Sequence, residues 1–196
     1  MIGCMETKVY FQKIRSYADL SSEAEDDWRG LLRAKTYPRD SAFLRLGEIP
    51  QNVAFVVKGL FAQYFISDQG ETVIKHFFPE GRIAGSIPAT LTGTESLFTI
   101  TAVEDTRVLE YDFHEFKRLV SKHRDIAEFY IRYMERHWII DKEPDEVALR
   151  NDVAKTRYED FLNKYPDLVS RLKKHHIASY LGITPTQLSR IFGARK

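Results

Sequence analysis

Residues 173–192 read KKHHIASYLGITPTQLSRIF. Ile177, Ala178 and Leu181 fall on one side of a helix, and Ala178 is small where a second helix must cross closely. Gly182 supplies the turn, because glycine takes positive φ without a Cβ penalty, and Ile183 plugs the corner. Thr184-Pro185-Thr186-Gln187 opens a second helix with three agreeing signals: Thr as N-cap, Pro at the first helical position, and Gln three residues after the cap. Leu188 and Ile191 form its buried side. Thr186, Ser189 and Arg190 face outward, with Thr184 at the cap and Gln187 partly turned aside by it. Two crossed helices with a polar outer face make a helix-turn-helix, whose second helix suits the major groove of a duplex.

Charge agrees. Residues 168–196 carry Arg171, Lys173, Lys174, Arg190, Arg195 and Lys196 and no Asp or Glu. The remaining 167 residues hold 23 basic and 28 acidic side chains, so a net charge of +1 conceals an acidic body with a cationic end. Such an end favours a polyanion, because Lys and Arg displace counterions along phosphates. Double-stranded DNA is the expected partner. Arg190 is the candidate for a two-pronged contact with guanine O6 and N7, whereas Lys173 and Lys174, just before the first helix, are expected to position the domain on phosphates. His175 and His176 are adjacent, diverge on a helix, and make a poor metal pair.

Working back along the chain, Ile126, Tyr133, Ile140 and Val147 recur at intervals of seven, with Phe129, Tyr130 and Met134 on the same side. The spacing predicts a long helix from about Asp125, whose apolar stripe either buries itself against the β-domain or pairs with its copy in a second subunit; pairing through Ile126, Phe129, Tyr130, Tyr133 and Ile140 is the expectation. Pro144 should bend or end that helix near Glu143, and Asn151 or Asp152 restarts one. Phe113, Phe116, Leu119 and Val120 form a short amphipathic helix before it. From Lys35 to about Tyr111 the pattern is β-rich: FVV, LFAQYFI, TVIKHFF, FTITAV and TRVLEY are separated by turn signals, which indicates an antiparallel sandwich, barrel or roll. One short helix, Ser86 to Leu91, interrupts it. The segment before Arg33 is helical, with Ser22-x-x-Glu25 as a capping box and Trp28 as a packing anchor.

The 196 residues are enough to bury a core, and 43% hydrophobic with 29% charged residues is the balance of an ordinary folded protein. Mean hydropathy is −0.36. The apolar runs fall far short of the roughly 20 residues that span a bilayer. No signal-like core opens the chain, so a cytoplasmic protein without membrane contact is expected. A single cysteine, Cys4, excludes an internal disulfide, a multi-cysteine zinc site and a four-cysteine iron–sulfur cluster. His76, His114, His123 and His137 each stand alone and are read as structural, and no metal site is expected. An enzyme on the β-region would need clustered metal ligands, a Gly-x-Ser-x-Gly elbow, a phosphate-binding Gly loop or a cysteine nucleophile; none is present, so no enzymatic activity is expected. The alternative to a DNA-binding protein is a ligand-binding or protein-interaction module that does not touch DNA.

The order of parts resembles the Crp–Fnr family of bacterial transcription regulators. The resemblance is most specific in VVKGLFAQYF (56–65), HFFPEGRIAGS (76–86), TITAVEDTRVLEYD (99–112) and HIASYLGITPTQLSRI (176–191). It implies an α+β fold: an antiparallel β-roll of the cyclic-nucleotide-binding, double-stranded β-helix kind over 1–124, a linking and dimerisation helix over 125–150, and a helix-turn-helix domain over 151–196. It also implies a homodimer on a two-fold operator, contact with RNA polymerase, and a small-molecule effector of unknown identity in the roll. Two departures matter. Cyclic-nucleotide-binding relatives carry a Gly-Glu pair that holds the ribose and an Arg-Ser pair that holds the cyclic phosphate; here the positions read Gly85-Ser86 and Ser96-Leu97, so cyclic AMP is not the expected effector. Gly85, Ser86, Ile87, Thr90, Thr99 and Thr101 are the expected lining of the pocket, the alternative being a pocket filled by its own side chains such as Phe98 and Leu97. Relatives also continue into a β-hairpin wing, whereas this sequence stops four residues after Phe192, which should place more of the affinity on the basic residues.

Overall fold

The computed structural model describes residues 4–144, 147 and 153–193, with Cys4 described by its backbone alone. The expected helix restart at Asn151 or Asp152, the boundary near residue 150, Arg195 and Lys196 lie outside the described residues. The roll consists of two four-stranded antiparallel sheets. One has the order β1-β8-β3-β6, from Arg33–Tyr37, Thr106–Asp112, Asn52–Lys58 and Ile83–Ala84; the other, β2-β7-β4-β5, comes from Ala42–Leu44, Thr99–Ala102, Phe61–Ile66 and Thr72–Phe78. Strands β1, β2 and β6 went unread in the sequence. Gly59 (φ 108) makes the tight β3–β4 turn, and a Cβ there would come within 2.6 Å of the Thr106 backbone.

Helices α1 (Cys4–Arg15), α2 (Ser22–Leu31), α4 (Phe113–Lys122) and α5 (Arg124–Met134) share one aromatic core with the first sheet. The cap of α2 is Ser21 rather than Ser22: its Oγ accepts from Ala24 N. Trp28 is completely buried, with the rings of Tyr10, Phe116 and Phe129 4.8–5.5 Å from its own. This packing overturns part of the pairing expectation. Ile126 and Phe129 are 0% and 1% exposed and Tyr133 is buried, all within their own subunit's core, so they are not a pairing seam. Tyr130 is half-buried and Ile140 exposed. The first half of the apolar stripe, Ile126 to Tyr133, is covered by the amino-terminal helices and the first sheet, whereas Ile140 and Val147 are exposed.

The linking helix is also not uniform. Residues Glu135–Ile140 form a π-helical turn, in which Asp141 N donates to Arg136 O at 2.9 Å. Pro144, expected to end the helix, lies in a helical stretch that follows this turn. After the linking helix come α6 (Ala154–Lys164), α7 (Lys174–Tyr180) and α8 (Pro185–Gly193); α3 (Ile87–Thr92) is the short helix inside the roll.

Candidate nucleic-acid interface and roll cavity

Leu188 of α8 is fully buried, as are Ile177, Ala178 and Leu181 around α7. Gly182 takes φ 63 between the two helices. The cap is reciprocal: Thr184 Oγ1 accepts from Gln187 N at 3.2 Å, and Thr184 N donates to Gln187 Oε1 at 2.9 Å. That reciprocal bond turns the Gln187 carbonyl back onto the chain and leaves only the amide nitrogen for an outside partner. Thr184, Thr186, Ser189 and Arg190 are exposed on one face, and Lys173, Lys174 and His175 are exposed at the start of α7. Lys174 Nζ lies 5.5 Å from the Phe192 ring centre. His176 is turned inward, and burial followed by the charges of His175 and Lys173 pushes its pKa down to about 4.

Arg171, counted above as part of the cationic end, points elsewhere. Its guanidinium makes a bidentate contact with Glu80 of the roll at 2.9 and 3.0 Å and a second contact with Glu104. Hydrogen bonding to Glu104 is the largest influence and raises the pKa of Arg171. Beside this clasp, Ser179 of α7 lies on the edge strand β5: its Oγ donates to Thr72 O at 2.6 Å and accepts from Ile74 N at 2.9 Å. A free strand edge is thereby closed by α7. Leu60, Ala62, Ile74 and Phe77 of the roll continue into the core formed by Tyr158, Phe161, Leu172, Ile177 and Leu188, so the two regions share apolar packing.

None of the expected pocket residues lines the roll cavity described below. Gly85 packs on Val53, Ile87 is in the core, and Thr90, 0% exposed, donates through Oγ1 to Ser86 O. Thr99 Oγ1 accepts from Leu46 N, and Thr101 stands beside Ala62 and Ala42 in the second sheet. Among the described residues, a roll cavity lies between β4, β5, β6 and the π turn. It holds about 240 Å³ and is lined by Gln63, His76, Arg82, Tyr133, His137 and Trp138 among others. His76 and His137, apparently isolated in the sequence, meet here. Burial, with the Arg82 charge next, lowers His76 to about 3 and His137 to about 4, so both are neutral imidazoles at pH 7. Sequence reading missed this site because the residues just named are separated by up to 75 positions and brought together by sheet pairing and the π turn.

Glu23, Asp27 and His123 also converge, with ligand atoms within 4.8 Å of one another. Lys122 Nζ lies 2.6 Å from Asp27 and 3.4 Å from Glu23, so the positive charge is already supplied. No helix among the described residues is long and apolar enough to cross a membrane.

Residues 34–123 match the family described as "Cyclic nucleotide-binding domain". The chain is a Crp–Fnr-like protein. It is 23% identical over 162 residues to the cAMP-activated global transcriptional regulator CRP of Salmonella typhimurium and of Escherichia coli, across 82% of this chain and 75% of the relative. In fold the Crp–Fnr-like chain is similar to FixK2 from Bradyrhizobium japonicum, with a TM-score of 0.71, 18% identity and 84% of each chain covered. It is similar also to the c-di-GMP responsive regulator CLP of Xanthomonas campestris, with a TM-score of 0.69, 12% identity and coverage of 89% and 91%. Ser86 and Ser96, where sequence reading expects the acid and the cation of nucleotide-binding Crp–Fnr proteins, are 3% and 1% exposed, and Ser96 Oγ donates to Phe98 O at 2.9 Å.

Proposed function

We propose that the chain is a transcription regulator that reads duplex DNA with the outer face of α8, pairs as a homodimer on a two-fold operator, and is not switched by cyclic AMP. The observation that carries this reading is the exposure of Thr186, Ser189 and Arg190 along α8, over a Leu188 that anchors the helix from beneath. Arg190 is the base-reading candidate, Thr186, Ser189 and the Gln187 amide nitrogen add polar contacts, and Lys173 and Lys174 sit where phosphates pass. CRP and CLP, named above, are described as global regulators, which supports the same reading and makes RNA polymerase a further partner in this proposal. With Ile126, Phe129 and Tyr133 used internally, pairing is assigned to the exposed Ile131, Ile139 and Ile140, with Tyr130 at the margin.

Transmission runs through the shared core and the β5 edge. A change in the roll that shifts Thr72–Ile74 displaces Ser179 and with it α7 and α8, so the two reading helices of a dimer move into or out of register with grooves about 34 Å apart. Against cyclic AMP stand the two buried serines: losing a charge-assisted phosphate contact costs roughly 2 to 5 kcal/mol. Selection of bound fragments from random duplex DNA tests the proposal. Enrichment of two-fold symmetric sites whose half-sites lie about 10 base pairs apart is expected. No enrichment, together with no duplex binding at low salt, leaves the β-roll interaction module as the reading.

A further inference from the structure

The turn that joins β1 to β2, residues 38–41, is stapled shut. Ser41 N and Ser41 Oγ both donate to Pro38 O, at 3.0 and 2.6 Å. Asp40 N donates to Ala102 O at 2.8 Å and Ala102 N to Ser41 O at 2.9 Å, which ties the turn to the end of β7. Arg39 is therefore an exposed cation on a fixed corner of the roll. Its backbone N donates to Asp105 Oδ1 at 2.9 Å and its Nε to Val103 O at 3.0 Å. These two bonds hold the stem of the guanidinium and leave the terminal nitrogens, Nη1 and Nη2, for an outside acceptor.

The bend that holds Arg39 also holds the reading domain. Between Val103 and Asp105 stands Glu104, which accepts from Arg171, and Arg171 lies two residues before Lys173. Arg39 and the approach to α7 are thus anchored to consecutive residues of one bend. Electrostatics agrees: after burial and the charges of His175 and Lys173, the next influences on the inward-turned His176 are the charges of Asp40 and Arg39. Glu104 is engaged by Arg171 and Asp105 by the Arg39 backbone, whereas Asp40 is exposed. In a helix-turn-helix the first helix crosses the nucleic-acid backbone, so phosphates that pass Lys173 and Lys174 pass this corner of the roll as well.

We infer that the roll is itself part of the DNA interface, with Arg39 as a phosphate contact beside Lys173. A guanidinium whose stem is already fixed loses little freedom on meeting a phosphate oxygen, and its planar fork suits that acceptor. The contact reads no base, so it adds affinity for any duplex. The inference rests on the regulator reading above and adds to it a surface outside the helix-turn-helix.

The test follows fluorescence anisotropy of the full chain with a selected operator and with a random duplex, from about 50 to 200 mM salt. Arg39→Gln should make the slope of log K against log salt shallower by about 0.9 per subunit on both duplexes. Its loss of affinity at the low end should then shrink about 3.5-fold per subunit at the high end. Arg39→Lys should keep the slope, because the charge remains. Asp40→Asn, whose new side chain tolerates the φ of 65, should bind more tightly at low salt, the opposite sign. Arg124→Gln removes an exposed cation from α5, which packs in the other core, and should leave both slopes unchanged. A wild-type chain that binds neither duplex removes the regulator reading and this inference together. Where the wild type binds, an Arg39→Gln slope as steep as its own, an Asp40→Asn chain no tighter than it, or an equal change in Arg124→Gln refutes the roll contact alone and leaves α8 in the groove.

Discussion

Replacing Arg171 with methionine distinguishes a clasp from a phosphate contact. The side chain is 24% exposed, and its partners Glu80 and Glu104 are 41% and 29% exposed. Pairs this open to solvent contribute about 0.2 to 1 kcal/mol each. The bidentate geometry on Glu80 and the shared contact with Glu104 place both near the upper end, so Arg171→Met should cost about 1 to 2 kcal/mol. For a chain of this length that is a fall of about 2 to 8 °C in Tm. Because the guanidinium is held by the roll, the slope of log K for duplex binding against log salt should stay unchanged, whereas loss of a phosphate contact makes it shallower by about 0.9 per subunit. Glu104→Gln should give a similar fall in Tm, and the double variant should lose less than the sum of the two single losses. An unchanged melt combined with a shallower salt slope refutes the clasp and returns Arg171 to the DNA-facing charges.

Arg190→Ala should weaken binding to a selected operator by about 1 to 3 kcal/mol and relax preference at one base position per half-site, measured by fluorescence anisotropy against single-base variants; unchanged binding would remove α8 from the reading role. Gly182→Ala should destabilise the chain by about 1 to 2 kcal/mol in urea titration although nothing lies within 4 Å of the new Cβ, because φ 63 alone carries the cost. Ile131→Glu with Ile140→Glu should convert a dimer to a monomer by sedimentation and remove any dependence of Tm on protein concentration, since both side chains are exposed within one chain. His76, His137 and His176 have folded pKa values near 3, 4 and 4, below the usual 6.5. The unfolded chain therefore binds more protons on acidification. The stabilisation is complete above about pH 6.5 and is lost as pH falls toward 4, by about 1 kcal/mol per histidine once solvent screening is allowed for; a urea midpoint that is flat or rising over that range contradicts the buried neutral rings.

The helix-turn-helix was legible because each signal in it acts over four residues or fewer. The Thr184–Gln187 capping box, the Gly182 turn and the Ile177–Leu181–Leu188 core positions need no knowledge of the rest of the chain, and all take the expected form. Five of the eight strands were legible for a related reason, a run of β-formers bounded by turn residues. β6 has only two residues, and β1, RAKTY, has mostly exposed side chains and no alternation, so both exist through pairing with β3 and β8.

The sequence by itself determined where apolar faces lie, where helices start, and that the carboxy-terminal end is cationic. It left open what covers each face, because hydrophobic burial is non-directional and an apolar stripe fits any apolar cover. Folding decided that Ile126, Phe129 and Tyr133 meet Trp28 and its neighbours, that Arg171 turns to Glu80 and Glu104, and that Gln63, His76, Arg82 and His137 surround one cavity. These outcomes depend on contacts between residues far apart in the chain, and only closure of the sheets and the π turn of the linking helix brings them within a few ångströms.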